Sequence, residues 1–178
     1  MPAETSRSEA VVEALERLDL AYTAYVPSNT IAPIIEGYRQ RAGERRVFAV
    51  SREEEAVGII GAVALAGRMG AIIMQDNGFG NALTALTTFT VAYHLPLLIV
   101  ANTRGGLGEY NSMIHAISEP VPEILAAARI PTFRLGRLNA AADWGATVHE
   151  AGRHAAMTHR PVVVLMEFWD PASGAARA

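Results

Sequence analysis

"AIIMQDNGFGNALTALTTFTVAYHLPLLIVAN", residues 71 to 102, holds two apolar runs, 71–74 and 95–102, around a segment of helical spacing, 81–94. The cores "AIIM" and "LLIVA" do not alternate apolar with polar, as a strand with one wet face would; they suit strands buried on both sides. Two such strands joined by a crossover helix run parallel.

Outward from this unit the same alternation continues. Upstream, "AVVEALERL" (10–18) has helical spacing and "AYTAYV" (21–26) reads as a strand. "TIAPIIEGYRQR" (30–41) is a helix with proline near its start, where a missing N–H does little harm. "RVFAV" (46–50) is a strand, and residues 52–67 of "SREEEAVGIIGAVALAG" (51–67) form a helix. Downstream come a helix at 121–130, a short strand "TFRL" (132–135), a long helix at 140–158 and a last strand "PVVVLMEF" (161–168). Six strands separated by helices predict an α/β fold: a single three-layer α/β/α domain over 1–178 around a six-stranded parallel sheet. The tail "DPASGAARA" (170–178) reads as a frayed end.

Composition narrows the function. The chain is 51% hydrophobic and 19% charged, enough for a full core, yet its apolar runs fall short of the ~18–20 residues of a membrane span. "MPAETSRSEA" lacks the basic head and apolar core of a leader, and a cytoplasmic location is expected. There is no cysteine, hence no disulfide, thiolate metal site or thiol nucleophile. All 15 basic residues are arginine, which removes lysine Schiff bases and the lysine of a phosphate loop. With a net charge of −3 and scattered arginines, a nucleic-acid surface is not expected.

Ligands of open parallel sheets bind beyond the carboxyl ends of the strands. That rule selects "PSN" (27–29), "SREE" (51–54), "QDNGFGN" (75–81) and "NTRGGLGEYNSMIH" (102–115). In "SREEE", Ser51 followed by Glu54 has the spacing of a capping box, and acidic residues suit the positive end of a helix dipole. Two readings stand for this run: a capped helix, or one glutamate serving as a buried acid or base with a raised pKa. "GFGN" opens a helix after a strand, but a dinucleotide fingerprint needs glycine at 83, which is leucine; a tight packing turn is preferred. "HEAGRH" (149–154) is one residue too long for a zincin motif, since five residues turn a helix by roughly 500°. His149, His154 and His159 therefore read as polar positions around the last helix, and His94 as the mark of a helix end. The 102–115 segment, glycine-rich and carrying Arg104, Glu109, Asn111 and His115, reads as a functional loop.

"REEEAVGI", "MQDNGFGNALTAL" and "NTRGGLGEYN", in that order and spacing, resemble the pyrimidine-binding (Pyr) domain of thiamine diphosphate enzymes, within them the sulfopyruvate and phosphonopyruvate decarboxylases. The similarity runs from "YVPSN" to "VVVLM". The resemblance implies a Pyr-type fold and a carboxy-lyase acting on an anionic 3-substituted pyruvate, foremost 3-sulfopyruvate, giving sulfoacetaldehyde and CO₂. Phosphonopyruvate is the alternative. A non-catalytic Pyr-like assembly or regulatory module is the alternative of another class.

In this family a glutamate bonds N1′ of the aminopyrimidine and helps to activate the thiazolium carbon. The family pattern places it five positions before the glycine of "VGI", which is Glu53 here, the implied catalytic residue. The match carries Asn77, Gly78, Gly80 and Asn81 to cofactor-facing positions, and Ser28, Asn29, Arg104 and His115 to the substrate side. His115 matches the phosphonopyruvate enzymes, whose preceding glutamine is Ile114 here. No metal ligand is implied in this chain. The family holds diphosphate and Mg²⁺ through a second domain marked by Gly-Asp-Gly, a tripeptide missing from this sequence. The resemblance thus implies a beta (PP) partner chain and a hetero-oligomer, α2β2 or larger.

Overall fold

The computed structural model describes residues 6–106, 109 and 111–168. The expected frayed tail and the first five residues lie outside the described residues, as do Leu107, Gly108 and Tyr110 of the glycine-rich segment.

Six parallel strands form one sheet: β1 (Tyr22–Tyr25), β2 (Val47–Ala49), β3 (Gly70–Gln75), β4 (Leu97–Asn102), β5 (Thr132–Leu135) and β6 (Pro161–Met166). Their order is β2-β1-β3-β4-β6-β5. The central strands β3, β4 and β6 are those with uninterrupted apolar cores, and nearly every residue in them is buried. Their register sets Gln75 beside Asn102, and Asn102 beside Met166. Beyond those residues the chain leaves the sheet, and the polar rim begins.

Helices cover both faces, as the crossovers require. Ala71, Ile73, Leu98, Val100, Val162 and Val164 pack under α1 (Arg7–Arg17), α2 (Ala32–Ala42) and α7 (Ala141–Thr158), with Trp144 of α7 fully buried. Ile72, Met74, Leu97, Ile99, Val163 and Leu165 pack on the other face against α3 (Glu53–Leu65), α4 (Phe79–Ala85) and α6 (Val121–Ala127). The alternation of neighbours along each strand between the two clusters is the period of two that a pleated strand imposes. No described helix is long and apolar enough to cross a membrane.

Three sequence expectations need correction. The helix expected at 81–94 is composite: a 3₁₀ turn (Asp76–Gly78) leads into α4, which continues as a π-helical segment (Leu86–Val91). In that segment Thr87, Thr88 and Thr90 return their hydroxyls to carbonyls one turn back. Such bonds compete with the α-helical ladder. Phe89 meanwhile packs on Gly61 of α3, where a Cβ would come within 2.4 Å of its ring.

Second, the 102–115 segment is not loop throughout: α5 (Ser112–Ser118) begins inside it, capped by the Asn111 side chain accepting from Met113 N–H at 3.2 Å. Third, the Ser51–Glu54 capping box does not form. The N-cap of α3 is Arg52, one residue later than expected, so the third helical position falls on Glu55. Glu55 accepts from the Ser51 N–H at 3.1 Å, and Glu54 instead pairs with Arg52 at 2.6 Å.

The outward side of α3 is apolar as well as its inward side. Ile59 is 43% and Leu65 60% exposed, with Gly58, Ala62 and Ala66 also exposed. A helix apolar all round is normally covered on every side.

Candidate active site

The selected segments converge on the carboxyl edge of β1, β2, β3 and β4, in two adjoining groups. Glu53 opens α3 just after β2, half-buried. Its Oε2 accepts from Asn81 Nδ2 of α4 at 2.9 Å. The carboxylate lies against Gly78, where a Cβ would stand 2.4 Å from Glu53 Cγ and 2.6 Å from Oε1.

This contact gives the "GFGN" turn a reason that sequence did not supply. Gly78 has ordinary right-handed torsions, φ −65° and ψ −16°, so the backbone does not demand glycine. The Glu53 side chain does. Asn77 of the 3₁₀ turn is half-buried, and Gly80 is exposed with Ile117 3.5 Å from the position of a Cβ. The expected tight turn is therefore a run of helical residues, and Gly78 makes room for the Glu53 side chain.

The second group spans the ends of β1, β3 and β4. Gln75, the last residue of β3, donates from Nε2 to Ser28 Oγ in the "PSN" loop and accepts at Oε1 from Arg104 at 3.4 Å. Asn29 is exposed beside Ser28. Arg104 donates from Nε to Glu109 Oε2 at 2.6 Å; their side chains are only 13% and 5% exposed. The Arg104 hydrogen bond, joined by one from the Asn111 N–H, holds the Glu109 carboxyl below the usual glutamate range despite burial. His115 Nε2 lies 2.9 Å from the Glu109 carbonyl oxygen.

Asp76 joins the two groups. It follows Gln75, is 1% exposed, and accepts from Arg104 N–H at 2.9 Å and from Ser118 Oγ at 2.8 Å. Burial raises its carboxyl above the usual aspartate range, opposed by those donors and by the Asn77 N–H. A cavity of about 380 Å³ opens beside it, lined by Asp76, Arg104, Glu109, Ser118, Arg134 and Glu167.

The residues assigned from the resemblance to cofactor and substrate stand on this one rim: Glu53, Gly78 and Asn81 in direct contact, Ser28, Arg104 and His115 joined through Gln75 and Glu109, and Asn29, Asn77 and Gly80 beside them. Sequence reasoning passed over Gln75 and Asp76, although both lie in the quoted "QDNGFGN". An acid directly after an apolar strand was the available signal, and its burial by Arg104 and Ser118 is a tertiary event.

The other flagged histidines lie elsewhere. His94 follows the helix end at a left-handed φ of 52°, as does His159 at the end of α7. His149 sits beside Glu150, and His154 packs edge-on to Phe133. Among the described residues, no three His, Asp or Glu side chains are grouped as metal ligands.

The chain has homologues among the sulfopyruvate decarboxylase alpha subunits. It is 29% identical over 126 residues to sulfopyruvate decarboxylase subunit alpha of Methanococcus maripaludis, covering 71% of this chain and 75% of that one. With the same subunit of Methanothermobacter thermautotrophicus it shares 28% over 164 residues, 91% of this chain and 97% of that one. Phosphonopyruvate decarboxylase of Streptomyces viridochromogenes matches at 28% over 105 residues, 59% of this chain and 26% of its own. No protein-family model matches the chain.

Among solved structures, the thiamine diphosphate-dependent 4-hydroxybenzoylformate decarboxylase of Rhodococcus jostii RHA1 superposes with a TM-score of 0.70 at 19% identity over 97% of this chain. The 2-oxoglutarate:ferredoxin oxidoreductase of Magnetococcus marinus gives 0.69 at 15% identity over 92%. The chain spans 33% and 29% of their lengths. It has the Pyr-type fold that they contain.

Proposed function

We propose that this chain is the alpha, or Pyr, half of a thiamine diphosphate- and Mg²⁺-dependent decarboxylase of a 3-substituted pyruvate, most naturally 3-sulfopyruvate, yielding sulfoacetaldehyde and CO₂. The observation that carries the reading is Glu53: a carboxylate at a strand's end, oriented by Asn81 and accommodated by Gly78, in a chain homologous to sulfopyruvate decarboxylase alpha subunits.

The residues present fit the pyrimidine end of the cofactor. The Asn81 amide occupies Oε2 of Glu53, leaving Oε1, on the Gly78 side, to accept a hydrogen bond from a ring N–H. When bound, the cofactor supplies a nucleophilic carbon and an electron sink for the carboxylate's departure. Glu53 holds the activating proton at the pyrimidine nitrogen, and Asn77, Gly78, Gly80 and Asn81 shape the wall around it. Ser28, Asn29, Arg104 and His115 orient the acid. Arg104 is fixed by Glu109 and Gln75 through Nε and one terminal nitrogen, which leaves its other terminal nitrogen for the anionic end.

The diphosphate and Mg²⁺ are assigned mainly to a beta partner carrying Gly-Asp-Gly, in a cytoplasmic hetero-oligomer of α2β2 form or larger. Two observations support a partner: the relatives are themselves named alpha subunits, and the apolar outward face of α3 adjoins Glu53. Phosphonopyruvate remains the second substrate, favoured by the phosphonopyruvate decarboxylase matches and by His115.

The test is co-expression with such a partner, followed by CO₂ release from sulfopyruvate and phosphonopyruvate in the presence of thiamine diphosphate and Mg²⁺. Turnover requiring both chains and lost in Glu53→Gln, with assembly intact, is expected, and the preferred acid decides the substrate. Full activity of an assembled Glu53→Gln complex would refute the catalytic role and return the chain to the assembly-module alternative.

A further inference from the structure

Glu109 engages three groups at once. Its Oε2 accepts from Arg104 Nε at 2.6 Å, its Oε1 from the Asn111 N–H at 3.0 Å, and its backbone carbonyl meets His115 Nε2 at 2.9 Å. Each contact constrains a different piece of the segment. Arg104 is tied through its own N–H to the buried Asp76 at the end of β3. Asn111 caps the helix that carries His115. The carboxylate thereby locks its own residue in place, and with it the carbonyl that faces the ring.

A carbonyl oxygen only accepts, so Nε2 must carry the hydrogen of that bond. In the neutral ring Nδ1 is then the bare nitrogen. Gly105, at φ 74°, lies on that side, where a Cβ would come within 3.3 Å of His115 Cα and 3.7 Å of Nδ1. Nδ1 makes no hydrogen bond among the described residues.

We propose that Glu109 is a positioning residue that holds His115 in the Nε2–H tautomer, so that Nδ1 is the ring atom left to meet the substrate's anionic end. The assignment of that end to His115 rests on the function proposed above; the tautomer and its dependence on Glu109 do not. With Nε2 committed, a neutral His115 offers the substrate a lone pair, and only the protonated ring offers an N–H.

The test is the imidazole nitrogen NMR spectrum of the full chain, isotopically labelled, at a pH where the ring is neutral, with His115 assigned by its loss in His115→Gln. Free imidazole already leans toward Nε2–H, so completeness is what counts. The expected result is one tautomer, a pyridine-like Nδ1 and an Nε2 proton protected from exchange, against averaged signals from exposed histidines. In Glu109→Ala, which keeps the carbonyl but removes both carboxylate contacts, the protected proton is lost and the ring becomes averaged. Glu109→Gln, with one oxygen for two donors, gives a partial loss.

A proton on Nδ1, averaged His115 signals in the unmodified chain, or an unchanged signal in Glu109→Ala overturns the proposal. If Glu109→Ala does not fold, Arg104→Gln removes one of the two carboxylate contacts, with a partial loss expected, and an unchanged ring there overturns the proposal. Because the readout needs neither cofactor, partner nor substrate, a failed decarboxylation assay leaves the tautomer result standing, and the reverse holds too.

Discussion

Gly78→Ala separates the steric role of this glycine from its backbone role. A Cβ would stand 2.4 Å from Glu53 Cγ, 2.6 Å from Oε1 and 2.7 Å from Cδ, against roughly 3.5–4.0 Å for relaxed carbon contacts. Glu53 must therefore retreat by about 1 Å or more, and its bond to Asn81 goes with it. The backbone itself accepts alanine, since φ is −65°. An overpacking cost of about 1–3 kcal/mol is below the ~5–15 kcal/mol stability of a typical domain, so the chain stays folded. Loss of a hydrogen bond to a charged group costs about 1.5–3 kcal/mol, which is about 10- to 150-fold in rate if the oriented carboxylate is needed in the transition state.

The assay is CO₂ release by the assembled complex beside a thermal melt of the chain. Activity within threefold of the unmodified enzyme, in a folded and assembled Gly78→Ala, would refute the claim that Glu53 works from this position. Gly80→Ala is the companion. Its Cβ meets only Ile117, at an ordinary 3.5 Å, so stability holds or rises, and a loss of cofactor affinity alone would mark Gly80 as cofactor-facing.

Gln75→Ala removes the bonds to Ser28 and Arg104; at about 1 kcal/mol each at most, kcat/KM should fall ~5- to 30-fold while strand content holds, and an unchanged value would exclude Gln75 as the link. Asp76 titrates above the usual aspartate range when folded, so the folded state binds more protons and the Asp76 contribution to stability falls as pH rises from about 4 through that raised value. Denaturation across that range should show Asp76→Asn, which no longer titrates, without this decline; identical pH slopes would contradict the buried carboxyl. Ile59→Arg or Leu65→Arg, on the outward face of α3, should leave the chain's own melting within about 0.5 kcal/mol of the original yet abolish co-purification with a beta partner. Retained assembly would move the interface elsewhere.

The succession of strands and helices was legible in sequence because burial on both faces leaves no alternation: "AIIM", "LLIVA" and "VVVLM" suit strands of a covered parallel sheet, and β3, β4 and β6 are those segments. Less legible were the boundaries where propensity gives no sign. The turn from α4 into a π-helical segment comes with Phe89 packed against the distant Gly61, and the start of α3 at Glu53 moves the cap from Glu54 to Glu55. α5 was hidden in a segment whose glycines and polar residues read as loop, and whose helix is capped by its own Asn111.

For the site, sequence determined which residues stand at strand ends, since chain order and the parallel sheet place them on one rim. Only tertiary structure decided what they touch. Glu53 and Gly78 are 25 positions apart and Asp76 and Ser118 are 42 apart, and no local spacing announces such contacts. The Asp76–Ser118 contact arises because β4 lies beside β3, and the Glu53–Gly78 contact because α3, which follows β2, packs on the same face of the sheet as α4.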